Sequence, residues 1–355
     1  MKLDDLLKHT SEWLRGTGPK SNIVISSRVR LARNLDKKPF SNWANAKRQK
    51  EALTIIKAAV ENTSYLKGAL FVNMKNTDEL DRHFLMERNL ISKEHMANVE
   101  NKAVVISDNE IVAIMINEED HLRLQVIQSG FKLMEVWRMI DSIDQELSKY
   151  LSFAYSPRWG YLTSCPTNTG TGLRASCMLH LPALMLANQM DKVLDAVGKL
   201  GLTVRGLYGE GTQASGNFFQ VSNQVTLGRS EEDIIDNIER VINQIVVREE
   251  NMRNSFLKRN REMLSDRVFR AYGTLKSARI ITSSETIKLL SAIRLGVDMG
   301  FIKDIDQRMV NELFILTQPA HLQKIDGKVL SPSERDARRA DLIREKLIER
   351  KGKKR

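Results

Sequence analysis

The stretch from Ala103 to Ile127, AVVISDNEIVAIMINEEDHLRLQVI, contains strand-like runs divided by turns. Ala103 to Ser107 is rich in β-branched residues, Asp108-Asn109-Glu110 is turn-forming, and Ile111 to Ile116 returns as a second strand. The third run alternates: Leu122, Leu124 and Val126 fall on one face, and His121, Arg123 and Gln125 on the other. The same period of two recurs in Arg174 to Leu181, where Ala175, Cys177, Leu179 and Leu181 oppose Arg174, Ser176, Met178 and His180. Short hairpin spacing predicts an antiparallel sheet with one face on a helical layer and one polar face, a candidate active-site floor.

Outward from that stretch, residues 20 to 228 read as strands with interspersed helices. From Ser230 onward the pattern is helical only. Ser230-Glu231-Glu232-Asp233 is a capping-box start, followed by Ile234, Ile235, Ile238, Val241 and Ile242 at helical spacing. Further helix starts fall near Ser283-Ser284 and Ser331-Pro332-Ser333. The expectation is an α+β fold, an antiparallel sheet flanked by helices, with a smaller all-helical C-terminal domain. Its divisions are an extension at 1–20, a catalytic domain at 21–254 and a helical domain at 255–355 that carries a basic tail.

With 42% hydrophobic and 28% charged residues the composition is ordinary for a globular protein. No apolar run reaches the ~18–20 residues a bilayer demands, and residues 1–20 lack a signal-peptide core. The chain has two cysteines, Cys165 and Cys177, so no disulfide framework is available and a reducing, cytoplasmic home is expected. The formal charge of +11 has three accounts: nucleic acid, phosphorylated small molecules, or a solvated tail ending in Lys351-Gly352-Lys353-Lys354-Arg355. Charge alone does not decide among them.

Candidate chemistry lies in arginines and acids beside strands. Arg28, Arg30, Arg123, Arg174 and Arg205 sit in strand-like stretches, and the alternation aims Arg28, Arg30 and Arg123 at one face. Planar guanidinium forks match phosphate oxygens bidentately, although most arginines serve surface salt bridges. Asn117-Glu118-Glu119-Asp120 and Tyr208-Gly209-Glu210 supply carboxylates for a turn, a metal site or a clamp on a cation. Cys165, set among arginines, is expected to titrate low. Gly170-Thr171-Gly172-Leu173-Arg174-Ala175 fits the loose dinucleotide pattern but is followed by a strand rather than a helix. Walker A and protein-kinase motifs are absent.

Taken in order, these blocks resemble the phosphagen (ATP:guanido) kinases. Cys165 to Ser176 (CPTNTGTGLRAS) resembles their signature, Asn117 to Arg123 and Arg205 to Glu210 resemble two further blocks, and Ser26 to Arg30 resembles their first arginine pair. Asp81-Arg82-His83-Phe84-Leu85 is similar to their adenine-stacking histidine segment. The resemblance implies an ATP site formed by Ser26, Ser27, Arg28, Val29, Arg30, His83, Arg123, Arg174, Ala175, Ser176, Cys177, Met178, Arg205, Gly206, Leu207, Tyr208 and Gly209. It implies that Glu119 and Glu210 grip the acceptor guanidinium beside Cys165. Mg²⁺ is implied to bind through the ATP phosphates, with no direct protein ligand and Glu118 in the outer shell.

Two departures shape the expected acceptor. Phosphagen kinases carry a helical domain before the first arginine pair that lids the small substrate, whereas here that pair begins only 25 residues from the start. The layout, with an added helical C-terminal region, resembles the bacterial protein-arginine kinases, implying protein substrates bearing exposed arginine. The branch further implies a homodimer, the activator McsA, Clp ATPase and protease partners, and a stress-response role in which marked proteins are regulated or degraded. In that branch Arg335-Asp336-Ala337-Arg338-Arg339-Ala340 forms a regulatory phosphoarginine pocket, with Arg335, Asp336 and Arg339 as its grip. The second departure is Met178, where the family places a nucleotide-contacting histidine; His180 lies two residues on. The alternatives are a kinase of free arginine or a similar metabolite, a non-catalytic phosphoarginine adaptor and, disfavoured for want of a motif, a nucleic-acid binder.

Overall fold

The computed structural model describes residues 2–206 and 215–352, side chains of 215 and 349–352 excepted. Its elements run β1 (Val24–Arg33), α1 (Ala46–Glu61), β2 (Leu70–Asn73), α2 (Glu79–Glu87), α3 (Lys93–Met96), β3 (Ala103–Ile106), β4 (Val112–Ile116), β5 (Leu122–Ser129) and α4 (Leu133–Ser148). A small hairpin, β6 (Tyr155–Ser156) and β7 (Gly160–Tyr161), precedes β8 (Leu173–His180), α5 (Pro182–Leu186), α6 (Met190–Lys199), β9 (Leu202–Gly206) and β10 (Phe218–Asn223). The helices α7 (Glu231–Arg259), α8 (Arg261–Ser277), α9 (Ser283–Asp298), α10 (Gln307–Leu316), α11 (Pro319–Asp326) and α12 (Pro332–Gly352) complete the described chain. The expected α+β architecture is what forms. Among the described residues, no helix is long and apolar enough to cross a membrane.

The strands β2-β3-β4-β5-β1-β8-β10-β9 make one sheet of eight strands, antiparallel throughout. Period-two patterning sorts its faces. Val29, Leu31, Leu122, Leu124, Val126, Ala175, Cys177, Leu179 and Val221 point to a core shared with α1, α4 and α7. Helix α7 starts where its cap was expected: Ser230 Oγ accepts the Asp233 amide at 3.1 Å, and its buried isoleucines then close that core.

The second face departs from the expectation of a wholly polar surface. At one end Ile25, Ile127, Met178 and Phe218 form a core with helices α8, α9, α10 and α12 and with Trp13 and Leu14 of the N-terminal segment. On the β3–β4 side Val104, Ile106, Ala113 and Met115 pack with Phe84 and Leu85 of α2. Helices thus roof both margins of this face, and the polar part is confined between them. Alternation in the sequence reports which side chains share a face, but not what a remote helix lays upon it.

Buried charge fastens elements remote in sequence together. Arg253 on α7 donates to Glu249 (2.8 Å), to the carbonyl of His180 (3.3 Å) and to Asp298 on α9 (3.4 Å). Arg88, after α2, pairs with buried Glu110 and donates to Ser11 Oγ at 2.9 Å, tying in the N-terminal segment. Each such group is satisfied on several sides, the condition under which a buried charge is tolerated.

Candidate active site

In an antiparallel pair, residues directly opposite one another share a face with Cβ atoms ~4.5–5.5 Å apart. Arg30 on β1 lies opposite Arg174 on β8 and Gln125 on β5. Arg28 lies opposite Ser176, and Arg123 opposite Ala32, so Arg28, Arg30, Arg123 and Arg174 share the roofed face. Gln220 of β10 faces both Met178 and Arg205, which brings Arg205 to the same face from the edge strand.

Arg33, on the same strand but the opposite face, shows what a satisfied buried arginine requires. Its guanidinium pairs with Asp144 at 2.8 Å, donates to the carbonyls of Ala32 and Thr171, and stacks on Tyr161 at 3.5 Å. By contrast, no described carboxylate pairs with Arg28, Arg30 or Arg174, and Arg30 Nε has no partner among the described residues. Burial, then the charges of Arg123 and Arg174, push the Arg28 guanidinium down to about 10. Arg30 falls well below its ordinary value for burial first and then for its arginine neighbours, and Arg174 is lowered by burial, Arg205 and Arg123. Burial would lower Arg123 too, but Glu118 at 2.5 Å outweighs it and the group is raised. Convergent, unpaired positive charge of this kind is a preformed anion site.

The strand ends carry the acids. Glu118 is consumed: buried, bonded to Arg123 and Ser92, and lowered by both against its own burial. Asp120 accepts from Asn34 Nδ2 at 2.6 Å and from the Ser164 amide at 2.7 Å, and Ser164 Oγ donates to the Glu119 carbonyl at 2.7 Å. These bonds stitch the 117–121 loop to the 164–168 loop, bringing Glu119 and Cys165 to one corner. Glu119 accepts from Asn168 Nδ2 at 3.3 Å. Its carboxyl is raised by burial first, with Asp120 and Glu118 adding to the rise and Arg123 opposing it. Cys165 Sγ lies 3.0 Å from Thr167 Oγ1 and acts electrostatically on Arg174. In the sequence Asp120 is one of a cluster of acids. Its stitching role depends on Asn34 and Ser164, for which no local pattern exists.

The glycines of the Gly170/Gly172 pattern have a backbone rationale. Their φ values are +111° and +64°, and an added Cβ would meet Thr226 O at 2.4 Å and Ala32 O at 2.6 Å respectively.

The remaining expected residues divide. Ser27, Val29, Ala175 and Cys177 point to the opposite, core face; Ser27 Oγ donates to Gly130 O at 2.9 Å, and burial pushes the Cys177 thiol up to about 12. Ser26 and Ser176 lie on the arginine face but are buried. Met178 is sealed in the core beneath the helical unit. His180 is sealed as well, stacked on Phe218 at 4.8 Å with Nε2 2.8 Å from Ser291 Oγ, so it does not replace the histidine that Met178 displaces. Gly206 closes β9. Leu207, Tyr208, Gly209 and Glu210 lie outside the described residues.

His83 lines a cavity of about 700 Å³ between α2 and the helical unit, with Met86, Gln318, Pro319 and Arg335 among the other walls. The walls from α11 were not legible in the sequence. The expected phosphoarginine grip is split. Arg335 donates to Leu330 O at 2.9 Å and borders this cavity. Arg339 is only 2% exposed, pairs with Asp336, and donates to Thr317 O at 2.8 Å and Ile281 O at 2.9 Å, locking α12 to its neighbours.

Histidines set a pH dependence around the site. Burial lowers both His95 and His121 to about 4. The unfolded chain protonates near ~6.5, so between ~6.5 and ~4 it binds more protons than the native state. Stability is therefore full above ~6.5 and falls as pH drops through that window, by up to roughly 3 kcal/mol for each such group. The urea midpoint is expected to fall steadily from pH 7 to pH 5, and His95→Gln to flatten the slope; a pH-independent midpoint would refute it.

An anion-binding arginine face with a raised carboxyl and a thiol at its rim is the working surface of a guanidino phosphotransferase. Comparison with known proteins agrees. Residues 51–252 match the ATP:guanido phosphotransferase C-terminal catalytic domain, and residues 261–355 the protein-arginine kinase McsB C-terminal domain. The protein-arginine kinase of Halothermothrix orenii is 47% identical over 98% of this chain and 99% of its own. That of Moorella thermoacetica is 48% identical over 96% and 98%. Among solved structures, the substrate-free duplicated taurocyamine kinase of Schistosoma mansoni matches with TM-score 0.57 and 28% identity, over 68% of this chain and 35% of that one. Lombricine kinase shares the fold at TM-score 0.59 and 23% identity, over 68% and 70%. The chain belongs to the protein-arginine kinase family of ATP:guanido phosphotransferases.

Proposed function

We propose that this protein transfers the γ-phosphoryl group of ATP to the guanidinium of arginine side chains in proteins. The observation that carries the reading is the arginine face, on which no described carboxylate pairs with Arg28, Arg30 or Arg174, with Glu119 and Cys165 at its edge. In this account Arg28, Arg30, Arg123, Arg174 and Arg205 hold the phosphates and stabilise charge on the transferring group, most of what phosphoryl transfer asks of a protein. His83 receives the base in its cavity. Glu119 and Glu210 align the acceptor, and one of them takes the proton as the N–P bond forms, while Cys165 assists. A guanidinium, with delocalised lone pairs and a pKa above ~12, needs that alignment before it can attack.

Mg²⁺ is supplied with ATP and neutralises its phosphates. Glu118, already committed to Arg123 and Ser92, fits an outer-shell role rather than direct ligation. The division at residues 254/255 into a catalytic and a regulatory part belongs to the same proposal, with Arg335, Asp336 and Arg339 serving phosphoarginine recognition. So do a homodimer, cytoplasmic stress-response work, an activator of the McsA kind and delivery of marked proteins to a Clp protease.

The test offers ATP together with free arginine and an arginine-rich protein. Acid-labile phosphate is expected on the protein. Phosphate confined to the free amino acid overturns the reading. In the same assay Cys165→Ser is expected to slow transfer about tenfold without abolishing it, and an unchanged rate removes the thiol from the chemistry.

A further inference from the structure

A second concave surface plays no part in the site above. Between α1 and β2 runs a groove of about 770 Å³ whose lining includes Lys47, Lys50, Lys57, Phe71, Lys75 and Asn101. Strand β2 is the outermost of the sheet and, among the described residues, pairs only with β3, so it offers backbone donors and acceptors to any extended chain beside it. Along α1, Lys47, Lys50 and Lys57 recur at spacings that keep one stripe of the helix, and all three are exposed. Lys47 and Lys50 form no ion pair with a described residue. Lys57, exposed and 3.7 Å from Glu61 one turn on, lies 5.0 Å over the Phe71 ring. Glu100, salt-bridged to Lys75 at 3.0 Å, is the acid of the lining. The groove is thus basic, floored by an aromatic ring and edged by an open strand.

Its upper wall is bonded directly to the acceptor loop. Asn117, the residue before Glu118 and Glu119, donates through Nδ2 to the carbonyls of Asn101 (2.8 Å) and Gln49 (2.9 Å), and Asn101 Nδ2 donates to Ala46 O at 3.2 Å. Asn117 thus couples the lining of the groove to the loop that carries Glu119.

We propose that this groove docks an extended, acidic segment of the protein substrate, added as a strand on β2 with its carboxylates on the α1 lysines, so that a nearby arginine is delivered to Glu119. The inference rests on the protein-arginine kinase reading and adds a rule of substrate choice. Electrostatics supply the reason. A chain of net charge +11 must attract an acceptor residue that is itself cationic, and an anionic neighbour on the same substrate reverses that repulsion. The open edge favours β-addition, in which main-chain bonds give affinity and side-chain charge gives selectivity.

Two peptides test it, carrying the same acceptor arginine. One has a preceding stretch of about six residues alternating Glu and Val, the usual strand length, and the other has Ser and Gly there. Wild-type enzyme is expected to show an about tenfold lower KM for the acidic peptide at similar kcat. The double variant Lys50→Glu/Lys57→Glu is expected to erase that advantage while leaving turnover of the neutral peptide unchanged. N-methylation of two valines in the stretch, which removes strand donors, is expected to cost most of it too. Equal KM values for the two peptides, or a variant that slows both alike, overturn the docking role. Retention of the full advantage by the N-methylated peptide overturns strand addition. Tight binding of a short DNA duplex that the double variant abolishes, without any peptide preference, assigns the groove to nucleic acid instead. Phosphorylation of the neutral peptide checks the kinase reading separately: its absence overturns that reading and the docking role with it.

Discussion

Replacing Arg30 by methionine is expected to lower phosphoryl transfer by about 10²–10³-fold and, at the same time, to raise thermal stability. The two effects have one cause. Arg30 sits opposite Arg174 with Arg28 two residues away, and no described carboxylate pairs with it. Its guanidinium is held below its ordinary basicity by burial and by those like charges. Without an anion, the side chain therefore costs folding free energy; with one, it is a preorganised donor aimed at the phosphates. Loss of a single such donor costs about 10²–10³ in rate in comparable sites. Methionine keeps the length and apolar contacts of the stem but removes the charge, so packing loss is small. A gain of ~1 kcal/mol would appear as a Tm rise of roughly 1–2 °C for a chain of 355 residues. ATP is expected to raise the Tm of the wild type more than that of the variant, because the anion relieves repulsion only where the repulsion exists. Unimpaired transfer, or a Tm that falls, would show that Arg30 is an ordinary structural arginine like Arg33.

That contrast also marks how far the sequence could be read. The alternation through Leu122, Leu124 and Val126 gave the sheet, and the alternation of Arg28 and Arg30 gave a shared face, since period two is a local property of extended chain. Alternation also separates Arg33 from Arg30 by face. It could not show that Arg33 meets Asp144 across more than a hundred residues while Arg30 pairs with no described acid. The helix starts at Ser230 and near Ser283 were legible because caps are local. Met178 and His180 were not legible, because what seals them is Phe218 together with Ser291 and Phe314 of the helical unit. Arg339 carries the same lesson. Its spacing from Arg335 suggests a double fork, whereas the carbonyls of Thr317 and Ile281 that hold its Nε and Nη1 are remote in sequence.

Glu119→Gln is the second large effect, and it separates acceptor chemistry from nucleotide binding. The substitution preserves shape and can still accept from Asn168 Nδ2 through the amide oxygen, so the stitch made by Asp120 and Ser164 survives. It removes the negative charge that orients a guanidinium and the lone pair that takes its proton. Positioned proton acceptors contribute about 10²–10⁴ in rate, so kcat is expected to fall by roughly 10²–10³ with the KM for ATP little changed, the arginine face being intact. The pH profile adds a check that packing damage would not mimic. Burial, reinforced by Asp120 and Glu118, raises the Glu119 carboxyl above its ordinary value. The acid limb of kcat/KM should therefore lie above that of an ordinary glutamate and disappear in the variant, because that limb reports a group that must be ionised to act. Cys165→Ser should leave the limb in place while slowing transfer less. A Gln variant within about threefold of wild type, or one that retains the limb, would move the proton acceptor away from Glu119 and leave Glu210 to supply it.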